Sequence, residues 1–183
     1  DLAARLRQGE RTLFEAAAAR GAAATILRPT LIYGAGRDRN LNRIAQVARR
    51  FGRIVLPRDA KGLRQPVHVH DLADAAFHCL DAAATHGRTY ALPGGETLEY
   101  REMAARLLAA LQPPPKLHEV PGGVFNVVLA AAHAAGFALD LSDAALRRMR
   151  GDPVSDAGGR QRDFGVLPRG FKPTAAMFPP SDR

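Results

Sequence analysis

Pro29 closes the apolar run Ala22 to Leu27, and no other residue narrows the fold of this chain as much. Proline carries no N–H for a central ladder, so a strand through that run must end near Arg28. Before it, Leu2 to Arg20 spaces Leu6, Leu13 and Phe14 among alanines and charged residues, which predicts an amphipathic helix. Gly21 then stands where a C-terminal cap belongs. After it, Gly34 and Gly36 mark a loop, Asn40 to Arg50 predicts a helix, Arg53 to Leu56 a short strand and Asp59 to Gly62 a turn. Helix and strand thus alternate from the start, which is the pattern of an α/β protein.

The alternation continues to the C-terminus. Val67 and Val69 form an apolar pair, and Asp71 is placed to cap a helix over Leu72 to Ala84 by accepting from backbone N–H groups. Arg88 to Leu92 reads as a strand, Pro93-Gly94-Gly95 as a turn, and Glu99 to Leu111 as a helix stopped by Pro113-Pro114-Pro115. A strand over Leu117 to Val120 and helices near Val124 to Phe137 and Ser142 to Arg150 follow, then a loose segment holding Phe164, Leu167, Phe171 and Phe178.

A length of 183 residues suits one domain or one half of a larger two-layer protein, and 46% hydrophobic residues suffice for a packed core. Cys79 is the only cysteine, so an internal disulfide is excluded and a reducing, cytoplasmic setting fits. The apolar stretch Val124 to Leu139 is interrupted by Asn126 and His133 and falls short of the roughly 20 residues that span a bilayer. A packed helix, and no membrane span, is the expectation there.

The net charge of +8 is concentrated, with nine bases against Asp38 and Asp59 between Arg37 and Arg64. Such a cluster is a footprint for a diphosphate, a nucleic acid or a membrane surface, or else a solvated arginine face. Nucleic acid is the weakest of these, because Phe51 is the only aromatic residue there on which a base could stack. His68, His70, Asp71 and Asp74 lie close in sequence, but a metal site needs a further converging ligand, and none is expected.

Three motifs, in order, carry a resemblance: Thr25-Ile-Leu-Arg-Pro-Thr-Leu-Ile-Tyr-Gly34, then Asn40-Leu-Asn-Arg-Ile-Ala-Gln-Val-Ala48, then Arg64 ahead of Pro66-Val-His-Val-His-Asp-Leu-Ala73. Together they resemble the C-terminal part of the extended short-chain dehydrogenase/reductases, the NAD-dependent epimerase/dehydratase family, and UDP-galactose 4-epimerase-like enzymes in particular. The match is good over about Thr25 to Leu80. Tyr90-Ala-Leu-Pro-Gly-Gly-Glu96 and Phe164-Gly-Val-Leu-Pro168 also look like the family's substrate-binding half.

The resemblance implies the C-terminal portion of a Rossmann-type doubly wound sheet plus a smaller mixed α/β substrate lobe. Residues 1–93 would form the last part of the NAD(P)-binding domain interleaved with lobe segments, and residues 94–183 mainly the lobe and tail. It implies NAD or NADP as cofactor, bordered by Pro29, Thr30 and Leu31 at the carboxyl edge of the sheet, where open α/β folds bind ligands. It also implies a nucleoside-diphosphate sugar as partner, contacted by Asn40, Arg64 and His68. Arginine suits that role because its planar, permanently charged fork matches two phosphate oxygens, and a helix N-terminus at Asn40 favours an anion. A homodimer is an open option within the family.

One departure stands out. The family's reaction uses a Tyr whose proton transfer is assisted by a Lys four residues later, on one helix face. Counting back from Glu10, the pair should fall near Leu2 and Leu6, and neither residue type is there. No Tyr precedes Tyr33 and no Lys precedes Lys61, so a small slip in register cannot restore it. No catalytic residue is therefore assigned, and a catalytically silent NAD(P)-binding or assembly module of the same fold is the alternative to an enzyme. The chain opens at Asp1 inside a helical pattern, and Gly34-Ala35-Gly36 does not complete a dinucleotide fingerprint, because Arg39 stands where its third glycine would be. We therefore expect a fragment whose fingerprint lies outside this sequence.

Overall fold

The computed structural model describes residues 2–36, 38, 40–134, 151 and 167–180. Its elements run α1 (Leu2–Ala19), β1 (Ile26–Pro29), β2 (Ile32–Tyr33), α2 (Leu41–Phe51), β3 (Arg53–Pro57), β4 (Leu63–Arg64), β5 (Val67–His68), α3 (Val69–Asp81), β6 (Thr89–Leu92), β7 (Leu98–Glu99), α4 (Tyr100–Ala110), β8 (Lys116–Val120) and α5 (Gly122–Ala134). The helix expected at the start closes as its sequence requires. Gly21 adopts φ 64° and the Ala22 N–H reaches back to the Ala17 carbonyl at 2.9 Å, a bond that wraps the last turn.

Strand pairing is mostly parallel. β1 pairs with β6, β2 with β5 and β3 with β8, all parallel, while β4 and β7 are antiparallel. Parallel partners need crossovers, and the helices supply them. The pairings β3 with β8 and β4 with β7 also join chain segments from either side of residue 93. Pro29 is the last residue of β1, opposite Leu92, so the strand runs one residue past the expected end and stops at the proline itself.

Two clusters form the core. The larger gathers Leu41, Ala45 and Ala48 of α2, Ile54 and Leu56 of β3, Met103, Leu107 and Leu108 of α4, and Tyr33, Phe171 and Phe178. The smaller consists of Ala75, Tyr90 and Leu92, with Leu27, Leu72 and Cys79 packed against it. Burial raises the Cys79 thiol above its usual range, which suits a packed, unreactive cysteine.

The structure corrects three local expectations. Val69 is helical rather than part of an alternating strand, so α3 begins two residues before Asp71. The cap is His68, whose Nδ1 accepts from the His70 N–H at 3.2 Å, and Asp71 lies inside the first turn. α5 forms where expected but is packed on one side only, with Phe125 3% exposed and Val127 68% exposed. The helix expected over Ser142 to Arg150 lies outside the described residues, as do Phe164, Arg37 and Arg39. Among the described residues, no helix is long and apolar enough to cross a membrane.

Candidate functional site

Pro29, Thr30 and Leu31 lie at the carboxyl ends of β1 and β6, beside the segment from Arg64 to His68. Thr30 is fixed twice: its N–H donates to the Leu92 carbonyl at 3.3 Å, and its hydroxyl donates to the Gln65 carbonyl. One residue on, the Leu31 carbonyl accepts from the Val67 N–H at 2.9 Å. Pro29-Thr30-Leu31 and Arg64 to His68 are thereby locked side by side. Pro93-Gly94-Gly95 closes the arrangement, for a methyl group on Gly94 would lie 1.8 Å from the Pro66 carbonyl oxygen. Only glycine lets the two backbones approach so closely.

α1 is tied to this edge by Glu10, whose carboxylate accepts from Arg28 Nε at 2.7 Å and from a second guanidinium nitrogen. Those hydrogen bonds hold the Glu10 carboxyl below the usual carboxylate range. With Glu10 anchored on β1, the register of α1 is set. Leu6, one turn earlier, is 60% exposed, and no phenol or amine stands at its level on the helix.

His68 and Tyr33 sit beneath the edge as a buried pair in register on β5 and β2, their rings edge-on with centroids 5.1 Å apart. His68 Nδ1 is occupied as a helix cap, so in the neutral ring the proton belongs on Nε2, which faces Gly34. Burial, then the charges of Arg169 and His70, lower the His68 pKa, so the ring is neutral near pH 7. Tyr33 donates to the Gly170 carbonyl at 3.1 Å, and burial raises its phenol. It therefore lacks the acidified hydroxyl that the family's Tyr/Lys pair provides.

Arg64 and Asn40 are placed differently from each other. Arg64 is 7% exposed, its guanidinium donates to the carbonyls of Leu63 and Gly151, the latter at 2.8 Å, and it lies 5.5 Å over the Tyr100 ring. Asn40 is exposed at the N-cap position of α2 and makes no side-chain cap bond. Asp38 caps instead, its Oδ1 accepting from Leu41 N–H at 2.7 Å and Asn42 N–H at 3.1 Å. A carboxylate of the chain itself thus occupies the N–H groups that would otherwise favour an anion.

A further polar anchor was not anticipated from sequence. Asp71, 2% exposed, accepts from both the N–H of Arg169, at 2.9 Å, and its Nε, at 2.7 Å. Glu96 accepts from the Phe171 N–H at 3.1 Å, and Gly95 N–H donates to the Arg169 carbonyl at 3.1 Å. The segment 167–180 is thereby laced onto α3 and the Gly94-Gly95 turn. Its only sequence signal is the Pro168-Arg169-Gly170-Phe171 run, which has no local periodicity to reveal a distant acid partner. Among the described residues, no three His, Cys, Asp or Glu side chains group as metal ligands.

Residues 3–92 match the NAD dependent epimerase/dehydratase family. The 2-alkyl-3-oxoalkanoate reductase of Stenotrophomonas maltophilia (strain K279a) is 35% identical over 96 residues, which are 50% of this chain and 29% of that protein. Among solved structures, RMD from Pseudomonas aeruginosa complexed with NADPH superposes with TM-score 0.63 at 15% identity, covering 92% of this chain and 51% of the other. UDP-glucose 4-epimerase from Thermotoga maritima with UDP-glucose gives TM-score 0.61 at 15% identity, covering 88% and 46%. The chain thus spans under a third of the curated relative and about half of the solved structures. Those structures share a Rossmann-type fold with it, and residues 3–92 are similar to the NAD dependent epimerase/dehydratase family.

Proposed function

We propose that this chain supplies the carboxyl-edge strands and the substrate lobe of an NAD(P)-dependent epimerase, dehydratase or 4-keto reductase acting on a nucleoside-diphosphate sugar. The observation that carries the reading is the parallel β1–β6 pair, with Thr30 pinned by its N–H and its hydroxyl at the carboxyl edge. A nicotinamide ring fits what this edge offers. Thr30 is spent inside the fold, and the half-buried Pro29 and Leu31 on either side present apolar surface suited to a planar ring. When bound, NAD(P) would accept or donate the hydride at a substrate carbon. Pro29, Thr30 and Leu31 would orient the ring, and the proton-transfer group remains unassigned in this chain because Leu2 and Leu6 stand near where the resemblance leads one to expect the Tyr/Lys pair.

A second reading has its own support. Arg64 already donates to the Gly151 carbonyl, and Asp38 already caps α2, so a diphosphate at Asn40 and Arg64 would have to displace two internal acceptors. The 35% identical relative is by name a reductase of 2-alkyl-3-oxoalkanoates, which carry no diphosphate. An NAD(P)-dependent reductase of such an oxo compound would leave both internal pairs intact.

Fluorescence titration of the full-length protein with NADH and NADPH, followed by turnover assays with UDP-sugars and with a 2-alkyl-3-oxoalkanoate, tests both. Saturable cofactor binding with conversion of a UDP-sugar supports the first reading, and conversion of the oxo acid alone supports the second. Cofactor binding without turnover of either would leave the silent module. No binding of either cofactor would sink all three.

A further inference from the structure

We infer that α5 is an interfacial helix that seats this protein on an anionic lipid surface. Soluble helices bury an apolar stripe and turn a polar face outward. α5 turns apolar residues outward as well. Phe125 is buried at 3% and Leu129 and Ala132 are half-buried along the same side, while Val124, Val127 and Val128 are 49%, 68% and 41% exposed and Ala130 and Ala131 are exposed beside them. Gly122–Ala134 contains no Asp, Glu, Lys or Arg. Among the described residues no helix is long and apolar enough to cross a membrane, and an apolar face of this kind suits lying in a headgroup layer.

The charges around α5 choose the occupant. α5 follows β8 directly and contacts β3, and the β3–β8 ladder carries bases at both ends. At one end Arg53 is paired with Lys116, next to Arg50 and the 39% exposed Phe51, over whose ring the Arg50 guanidinium lies at 5.6 Å. At the other end the Arg58 N–H donates to the Val120 carbonyl, two residues before α5 begins, and Lys61 follows. All five bases are exposed, and the exposed acids on these segments are Asp59 and Glu119. A helix without Asp, Glu, Lys or Arg, joined to a ladder that carries exposed bases at both ends, complements anionic headgroups above acyl chains. A second copy of the chain fits less well, because a two-fold contact through α5 would set the same bases against each other. This surface also gives the exposed part of the basic cluster a role separate from Arg64, which is buried.

Vesicle flotation of the full chain tests the assignment, since aggregated protein stays at the bottom of the gradient. Vesicles of phosphatidylcholine alone are compared with equimolar phosphatidylcholine and phosphatidylglycerol, at low and high salt. The wild-type chain should float with the anionic vesicles, and less so at high salt. V127D/V128D and R53E/R58E should each weaken flotation by roughly tenfold or more. All four residues are substantially exposed, and unchanged far-ultraviolet circular dichroism would show that the variants keep their fold. Failure of the wild-type chain to float, or unchanged flotation of V127D/V128D, overturns the inference. So does a wild-type dimer that V127D/V128D converts to monomer without any vesicle binding, which would assign the face to a second copy.

Discussion

The two sides of this molecule are built to different completeness. Around β3 and β8, α2 and α4 enclose a core in which Leu41, Ala45, Ala48, Met103, Ala104 and Leu107 are all fully buried. Around β1 and β6, burial stops at Ala75, Tyr90 and Leu92, while Leu6, Leu13, Phe77 and Leu80 are 50% exposed or more. The first side holds its elements by apolar packing. The second holds α1 by the exposed Arg28–Glu10 pair and α3 by the pair between buried Asp71 and half-exposed Arg169. Exposed ion pairs contribute little, on the order of 0–1 kcal/mol, so the β1–β6 side is expected to be the less stable of the two.

The sharpest way to break this contrast is at the turn that joins the two sides. Gly94→Ala places a methyl group 1.8 Å from the Pro66 carbonyl, backbone against backbone, where no side-chain movement relieves the clash. A loss of more than about 4 kcal/mol is expected, enough to abolish cooperative unfolding in urea. A variant that unfolds at the wild-type midpoint would mean that the turn does not join the sides. Next in size, Leu107→Ala in the larger core should cost about 2–5 kcal/mol, and Leu92→Ala in the smaller cluster should fall at or below the low end of that range. Equal losses would erase the difference between the cores.

Asp71→Asn tests the polar anchor. It removes the charge from a buried acceptor of two bonds, but Arg169 is half-exposed and can rehydrate, so about 1–3 kcal/mol is expected rather than the larger cost of a fully buried pair. The accompanying sign is faster tryptic cleavage after Arg169, because the tail would detach from α3. Unchanged cleavage would place the anchor elsewhere along residues 167–180.

His68 supplies a pH test. Its folded pKa is lowered by burial, so the unfolded chain takes up the proton first, and the stabilisation present above the unfolded pKa near 6.5 is lost as pH falls through the folded value. Urea midpoints should therefore decline as pH drops below about 6.5. His68→Asn should flatten that decline, at some cost from the lost ring contacts with Tyr33 and His70. A decline of the same steepness in the variant would assign it to other groups.

The fold was legible where the signal is local. Pro29 ended β1, Gly21 closed α1, and the triple proline followed α4, because each acts through its own backbone. The three motifs carried the family for a similar reason, since their order along the chain is itself the information. What escaped was decided at a distance. Asp71 looks like a cap from its neighbours, yet its partner is Arg169, 98 positions away. Arg64 and Asn40 look alike as anion ligands, but one is sequestered by Gly151 and the other is displaced as a cap by Asp38. A local pattern names the residue type a site needs and cannot say which other side chain reaches it first.

The smallest expected effect sharpens the comparison most. Phe77 and Leu80 stand one turn apart on α3, 71% and 70% exposed, and neither belongs to either core cluster. Removing side chains that bury so little should change stability by about 0.5 kcal/mol or less. Phe77→Ser with Leu80→Ser should therefore leave the urea midpoint nearly unchanged and reduce binding of a hydrophobic dye, because an exposed apolar pair attracts such probes. If the double variant instead loses several kcal/mol, the pair is buried in the protein in solution. The β1–β6 side would then be completed by something that covers α3, and its thin core would be half of a larger one.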